Sequence, residues 1–213
     1  MTWAATWKAT SRPVTGTVDP ALPYAVDVRH LILDRDGVLN EEAPAQTYVT
    51  GPDGWHWIAG SLEALALIAG AGIRVSIVTN QSGVGRGLMT PEDLDAVHGR
   101  MMRESESAGG HIDALFACPH APDTRCNCRK PAPGLIEAAV AASGIPAAQT
   151  LAVGDDERDI EAAHGAGVAA ALVLTGKGRA AASSFPRHAV PVYDDLASLA
   201  RALLADSPGT GND

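Results

Sequence analysis

A chain of 213 residues with 46% hydrophobic content is long enough to bury one sizeable core, and its net charge of −9 gives no general attraction for nucleic acid. No apolar run approaches membrane-spanning length, and the opening Met1-Thr2-Trp3-Ala4-Ala5-Thr6-Trp7-Lys8 lacks the hydrophobic centre of a signal peptide. A cytoplasmic protein with no membrane or nucleic-acid partner is therefore expected, and with no apolar exposed stripe in the pattern, a monomer.

Residues 1–26 carry Thr, Pro and Ala without sustained periodicity and read as an N-terminal arm. The apolar run Val28 to Leu33 predicts the first strand, ending in Asp34-Arg35-Asp36-Gly37. Side chains alternate along a strand, so Asp34 and Asp36 leave its end on one face and Arg35 on the other. One carboxylate can then attack a phosphorus atom while the second handles the proton of the alcohol. Taken alone, Asp-x-Asp-Gly fits an ordinary turn equally well. The tie is broken by three further segments.

Leu62, Leu65, Ala66 and Ala69 share one helical face, closed by Gly70 and Gly72. The strand Arg74 to Val78 leads into Thr79-Asn80-Gln81-Ser82-Gly83, where a hydroxyl and backbone N–H groups can hold phosphate oxygens. Gly83-Val84-Gly85-Arg86-Gly87 lacks dinucleotide-binding spacing, and its glycines instead let backbone approach a substrate that Arg86 can reach. Thr90 as N-cap with Pro91 behind it starts a helix whose stripe is Leu94, Val97 and Met101. Ala114 to Ala117 predicts a strand.

Cys118-Pro119-His120 and Cys126-Asn127-Cys128 then place three thiols and an imidazole within eleven residues. That is the ligand count of a closed structural zinc site, and an odd number of cysteines argues against a disulfide framework. Four protein ligands leave no position for water, so this zinc should hold a loop. The loop runs straight into Arg129-Lys130-Pro131, whose cations would offset the charge of a transferring phosphoryl group.

A helix is expected after Pro133 and a strand at Leu151 to Val153, followed by Gly154-Asp155-Asp156-Glu157-Arg158-Asp159. These acids join Asp34 in an oxygen-rich site suited to magnesium. Another helix is expected after Asp159, a buried strand at Ala169 to Leu174, and a final helix through Leu196, Leu199, Leu203 and Leu204. Residues 206–213 read as a tail, leaving 27–205 as one domain. Strands alternating with helices imply a Rossmann-like parallel α/β sheet with helices on both faces. Trp55 and Trp57 either pack their loop onto the core, the commoner use of such aromatics, or face a sugar; His30, His56, His98, His111, His164 and His188 are read as surface or helix-face residues without a role.

Asp-x-Asp-Gly, Thr-Asn, Lys-Pro and Gly-Asp-x-x-x-Asp, in that order over residues 28–175, resemble the four motifs of the haloacid dehalogenase superfamily of phosphatases. By that resemblance Asp34 is the nucleophile, Asp36 the general acid and base, and Thr79 and Lys130 the phosphate-binding pair. Asp34, Asp36 and Asp155 are implied as the magnesium ligands, and Asp159 as an outer-shell acid. The intervals Asn40 to Arg74 and Gly83 to Cys118 leave no room for a cap domain. Capless architecture, the string Asp34 to Asn40 and the zinc-loop cysteines narrow the resemblance to superfamily members acting on a heptose bisphosphate or on histidinol phosphate. The short gap between His120 and Cys126 resembles the histidinol-phosphate type. Ser82 and Arg86, with Arg129 beside Lys130, resemble the heptose-bisphosphate type, and the 7-phosphate of that sugar is the expected substrate. Asn80, Arg86 and Arg129 are the expected substrate-binding residues. A degenerate, non-catalytic zinc- and phosphate-binding module is the alternative from another class.

Overall fold

The computed structural model describes residues 27–42, 48–184 and 190–205. The expected arm at 1–26, the tail at 206–213 and His188 lie outside the described residues. Six strands form one parallel sheet: β1 (His30–Leu33), β2 (Arg74–Asn80), β3 (Ala114–Cys118), β4 (Thr150–Gly154), β5 (Ala169–Val173) and β6 (Val192–Tyr193). Their spatial order is β3-β2-β1-β4-β5-β6.

The period-two alternation of the strands divides the core in two. Leu31, Leu33, Val75, Ile77, Leu151, Val153, Ala171 and Val173 face one side. There they meet helices α1 (Ser61–Gly70), α3 (Pro91–Ser107) and α7 (Leu196–Ala205). Ile32, Val78, Ala152, Ala170 and Leu172 face the other, against α4 (Gly134–Ser143) and α5 (Glu157–Gly165). Two short helices, α2 (Ser82–Gly85) and α6 (Gly178–Ser184), follow the ends of β2 and β5. No helix among the described residues is long and apolar enough to cross a membrane.

Several boundaries differ from the sequence pattern. β2 continues through Thr79 and Asn80, because β3 pairs with both. α5 begins at Glu157 instead of after Asp159: Asp156 is its N-cap, and Asp159 sits in the first turn, closing a capping box with the Asp156 backbone. Two histidines read as surface or helix-face are buried. His30 spans three strands, its ring 2.9 Å from Ser76 Oγ on β2 and 3.3 Å from Thr150 Oγ1 on β4. Burial drives its pKa down to about 4, so it is a neutral core group. His98, on α3, is 5% exposed and faces Arg35.

β1 lies between β2 and β4, the chain having wound outward in both directions from it. The crevice beyond the strand carboxyl ends at such a reversal is where open α/β sheets bind ligands. Asp34, Thr79 and Asp155 stand at, or directly beyond, the ends of these three strands.

Candidate active site

A cleft of about 420 Å³ opens there, lined among others by Asp34, Asp36, Thr79, Asn80, Arg129, Lys130 and Asp155. Arg86 is not among the lining residues: the turn after α2 carries it to the exposed surface. The expectation that it reaches substrate therefore has no support in the geometry.

Ligand oxygens of Asp34, Asp155 and Asp159 gather within 4.8 Å of one another. Lys130, 3% exposed, balances part of this charge. Its Nζ lies 2.9 Å from Asp34 Oδ1 and 2.7 Å from Asp159 Oδ1, and donates to Val78 O at 2.9 Å. Burial opposes its charge, but the attraction of Asp159 and Asp34 wins and raises its pKa. Burial pushes the Asp34 carboxyl up to about 7, against the pull of Lys130 and with repulsion from Asp159 and Asp36. Asp155 rises to about 8 through burial and the charge of Asp34. Three crowded carboxylates with one cation between them suit a further hard cation bound through oxygen. Gly37 and Gly176, both at positive φ, make room for the group. A Cβ on either would strike the Asp155 carboxylate.

Asp36, expected among the magnesium ligands, is placed differently from Asp34 and Asp155. Its carboxylate lies outside the acidic triad and is claimed by other partners. Oδ1 accepts from Arg35 Nη2 at 3.0 Å and from Asn40 Nδ2 at 2.9 Å, and Oδ2 from Gln81 Nε2 at 2.7 Å. Burial works against its charge, but Arg35, Asn40 and Gln81 together hold it below the usual carboxylate range. The same Gln81 amide donates to Thr79 Oγ1 at 2.8 Å, leaving the threonine O–H free to donate.

Asn80, expected to bind substrate, spends its amide on the protein. Its Oδ1 accepts from Lys130 N and its Nδ2 donates to Lys130 O, both at 3.1 Å. Arg129 differs: its Nη1 is buried without a hydrogen-bond partner and the residue lines the cleft.

Cys118, His120, Cys126 and Cys128 form the second cluster, with ligand atoms within 4.8 Å. Cys128 Sγ lies 3.4 Å from Cys118 Sγ and 3.2 Å from His120 Nδ1, and Cys118 Sγ lies 3.9 Å from Cys126 Sγ. All three thiols are free. Burial and the neighbouring sulfurs push Cys128 upward, and burial raises Cys118. Sulfurs and an imidazole nitrogen this close, unbridged by a disulfide, suit a soft or borderline cation such as a tetrahedral metal. The cluster is wired to the cleft at both ends. Gln81 N donates to Cys118 O at 2.7 Å, Gly85 N to Pro119 O at 2.8 Å, and Cys128 is followed directly by Arg129 and Lys130.

Arg35, Glu42, Tyr48, Gln81, Arg158 and Lys177, given no role by the sequence pattern, also line the cleft, as does Ser82, which carried part of the family resemblance. For Lys177 a signal was present, since Thr175-Gly176-Lys177-Gly178 follows a strand. Its backbone N–H donates to Asp155 Oδ2 at 2.8 Å, and its ammonium pairs with Glu42. Tyr48 has its hydroxyl 3.1 Å from Ser82 Oγ. Trp55 and Trp57 pack instead: Trp55 is buried, the rings meet edge to face at 5.0 Å, and Trp57 Nε1 donates to Glu104 at 2.6 Å.

Paired aspartates at the end of the central strand, a buried lysine between acids and a second acid at a neighbouring strand end define a hydrolase of the haloacid dehalogenase type. The HAD-hydrolase-like family model matches residues 127–199. The chain is 43% identical over 179 residues to D-glycero-beta-D-manno-heptose-1,7-bisphosphate 7-phosphatase of Bordetella bronchiseptica, covering 83% of this chain and 98% of that protein. It is 37% identical over 143 residues to the corresponding alpha-anomer phosphatase of Mycobacterium tuberculosis, covering 66% and 74%. A crystal structure of D,D-heptose 1,7-bisphosphate phosphatase from B. bronchiseptica, complexed with magnesium and phosphate, superposes with a TM-score of 0.80 at 42% identity. That superposition covers 84% of this chain and all of the other. The chain belongs to the family of heptose-1,7-bisphosphate 7-phosphatases.

Proposed function

We propose that this chain is a magnesium-dependent phosphatase that removes the 7-phosphate of D-glycero-D-manno-heptose 1,7-bisphosphate through an aspartyl phosphate on Asp34. The observation that carries the reading is the Asp34 carboxylate at the end of β1, inside the cleft, 2.9 Å from Lys130 and clustered with Asp155 and Asp159. Asp34 attacks phosphorus, and the bond from phosphorus to the sugar oxygen breaks. An alkoxide is a poor leaving group, so Asp36 gives it a proton, and the resulting carboxylate then takes a proton from the water that hydrolyses the acyl phosphate. Asp36 rests as the carboxylate that the second step needs. A phosphate entering beside it brings like charge, which raises its pKa toward the protonated form that the first step needs. Thr79 donates its free O–H to a phosphate oxygen. Asn80 holds the backbone of Lys130 so that its ammonium stays between Asp34 and Asp159.

Asp34 and Asp155 would hold magnesium, with Asp159 in the same oxygen cluster. Bound there, the cation would neutralise developing charge on the phosphoryl group. Zinc in the Cys118, His120, Cys126 and Cys128 set would be structural, one per chain. The 1-phosphate would lie against Arg129, whose Nη1 lacks a protein partner, in a cleft also lined by Arg158 and Lys177. Histidinol phosphate carries a cationic amine at the other end, which these cations disfavour.

The relatives named for the beta anomer match a greater share of the chain than those named for the alpha anomer, which favours the beta sugar. The test is phosphate release from both anomers of the bisphosphate and from histidinol phosphate under the same magnesium concentration. Higher kcat/KM on histidinol phosphate would overturn the substrate assignment.

A further inference from the structure

Arg35, between the two aspartates in sequence, is 1% exposed. Its backbone N–H donates to Asp34 Oδ1 at 2.6 Å, and its Nη2 donates to Asp36 Oδ1 at 3.0 Å. A guanidinium buried this deeply needs its other donors anchored, because a long side chain held at one point can rotate away from its target. The anchor comes from α3. His98 Nε2 lies 3.1 Å from Arg35 Nη1, and the guanidinium carbon stands 5.8 Å from the centre of the Trp55 ring. Arg35 Nε has no hydrogen-bond partner, so the grip on this side rests on Nη1 and the indole face.

An arginine only donates, so His98 must accept through Nε2 and carry its proton on Nδ1. Burial, reinforced by the charge of Arg35, lowers the His98 pKa to about 3, which keeps the ring neutral and its acceptor available. Nothing reaches His98 from the cleft, whose lining does not include it.

We propose that His98 is a positioning residue for the proton-transfer step: by accepting a hydrogen bond from Arg35 it fixes the guanidinium that aims the Asp36 carboxylate at the leaving oxygen. The inference rests on the catalytic reading above, since it assigns Asp36 the proton. Asn40 and Gln81 also donate to Asp36, one to each oxygen, and leave a lone pair on Oδ2 for the proton, so losing His98 loosens the aim and does not release the carboxylate.

The test compares two substrates that differ in their need for that proton. A sugar alkoxide must be protonated as it leaves, whereas p-nitrophenolate leaves unaided. kcat/KM reports the steps through phosphoryl transfer to Asp34, before the acyl phosphate is hydrolysed. His98→Leu should lower kcat/KM for the heptose bisphosphate by about tenfold or more, a fraction of what a general acid contributes. For p-nitrophenyl phosphate the loss should stay below about threefold. The ratio of the two values, taken on one preparation, is independent of how much of the enzyme is folded. His98→Gln, whose amide oxygen can accept from Arg35, should restore the ratio. Should the leucine variant not fold, His98→Asn, with an amide too short to reach Arg35, makes the same comparison.

Equal losses on the two substrates, or a glutamine variant no better than the leucine variant, would overturn the role of His98 and leave the phosphatase assignment standing. A parent enzyme with no turnover of the heptose bisphosphate would instead remove the catalytic reading, and this inference with it.

Discussion

At the scale of single residues, Asp34 and Asp36 receive opposite environments although only Arg35 separates them in the chain. Asp34 is crowded by like charge and offset by Lys130, whereas Asp36 is surrounded by donors. The first is thereby set beside a cation-seeking cluster, and the second keeps a defined direction. If Asp34 is the nucleophile, its neutral isostere in Asp34→Asn should abolish magnesium-dependent phosphate release while leaving the circular dichroism spectrum unchanged. Turnover at the parent rate would refute the assignment. Arg129 lines the same cleft, with its Nη1 unpartnered. A planar guanidinium binds phosphate through two parallel bonds, which an ammonium does not reproduce. Arg129→Lys is expected to cost about tenfold in kcat/KM with the 1,7-bisphosphate, the worth of one charge-assisted hydrogen bond. It should cost little with the 7-monophosphate. Comparable losses on both sugars would place the 1-phosphate elsewhere.

At the scale of elements, the loop after β3 does more than connect β3 to α4. Its first cysteine accepts the backbone N–H of Gln81, which in turn holds Asp36 and Thr79, and its last leads into Arg129 and Lys130. The cysteine and histidine cluster thus joins the segment after β2 to the one that carries Arg129 and Lys130. Structural zinc binding is worth about 10–16 kcal/mol in small peptides, ample to order eleven residues. Cys126→Ser should lower zinc content measured by elemental analysis and cut activity with magnesium present. Purified protein without zinc but with full activity would show that the loop folds unaided. The contact with α2 is equally tight. A Cβ at Gly85 would come within 2.6 Å of Pro119 O and of Ala121 N, both backbone atoms that cannot rotate aside. Gly85→Ala should therefore displace the loop and reduce activity without touching a cleft residue.

At the scale of the whole molecule, stability and metal binding are linked through the acids at the switch point. Asp34 and Asp155, raised from 3.8 to about 7 and about 8, bind protons more tightly in the folded than in the unfolded chain. Their contribution is therefore favourable at low pH and is lost as pH rises through these values. His30 and His98, lowered from 6.5 to about 4 and about 3, act in the opposite sense. They favour the folded state above 6.5, and that contribution is lost as pH falls toward their folded values. Protein dialysed free of magnesium should accordingly melt highest at mildly acidic pH and lose Tm on both sides. Saturating magnesium should remove the alkaline loss, because the cation keeps the carboxylates ionised at no cost to the fold. An alkaline limb that is identical with and without magnesium would mean that the ion binds elsewhere.

The four motifs, the cysteine and histidine spacing and the alternating strands were readable from the residues alone, because each depends on local order: turn chemistry after a strand, ligand count within one loop, period-two burial. The parallel sheet and the site at its central strand follow from the same signals. Contacts between distant segments were not readable. That Arg86 is exposed outside the cleft lining while Arg158 and Lys177 belong to it depends on how the turns after β2, β4 and β5 leave the sheet. Likewise His98 is an ordinary residue of a helical stripe until α3 packs into the core on its face of the sheet, and only then does its ring meet Arg35, 63 positions away. Local pattern selects the elements and the chemistry they carry, whereas the packing of helices against the sheet decides which buried side chain holds which reacting group.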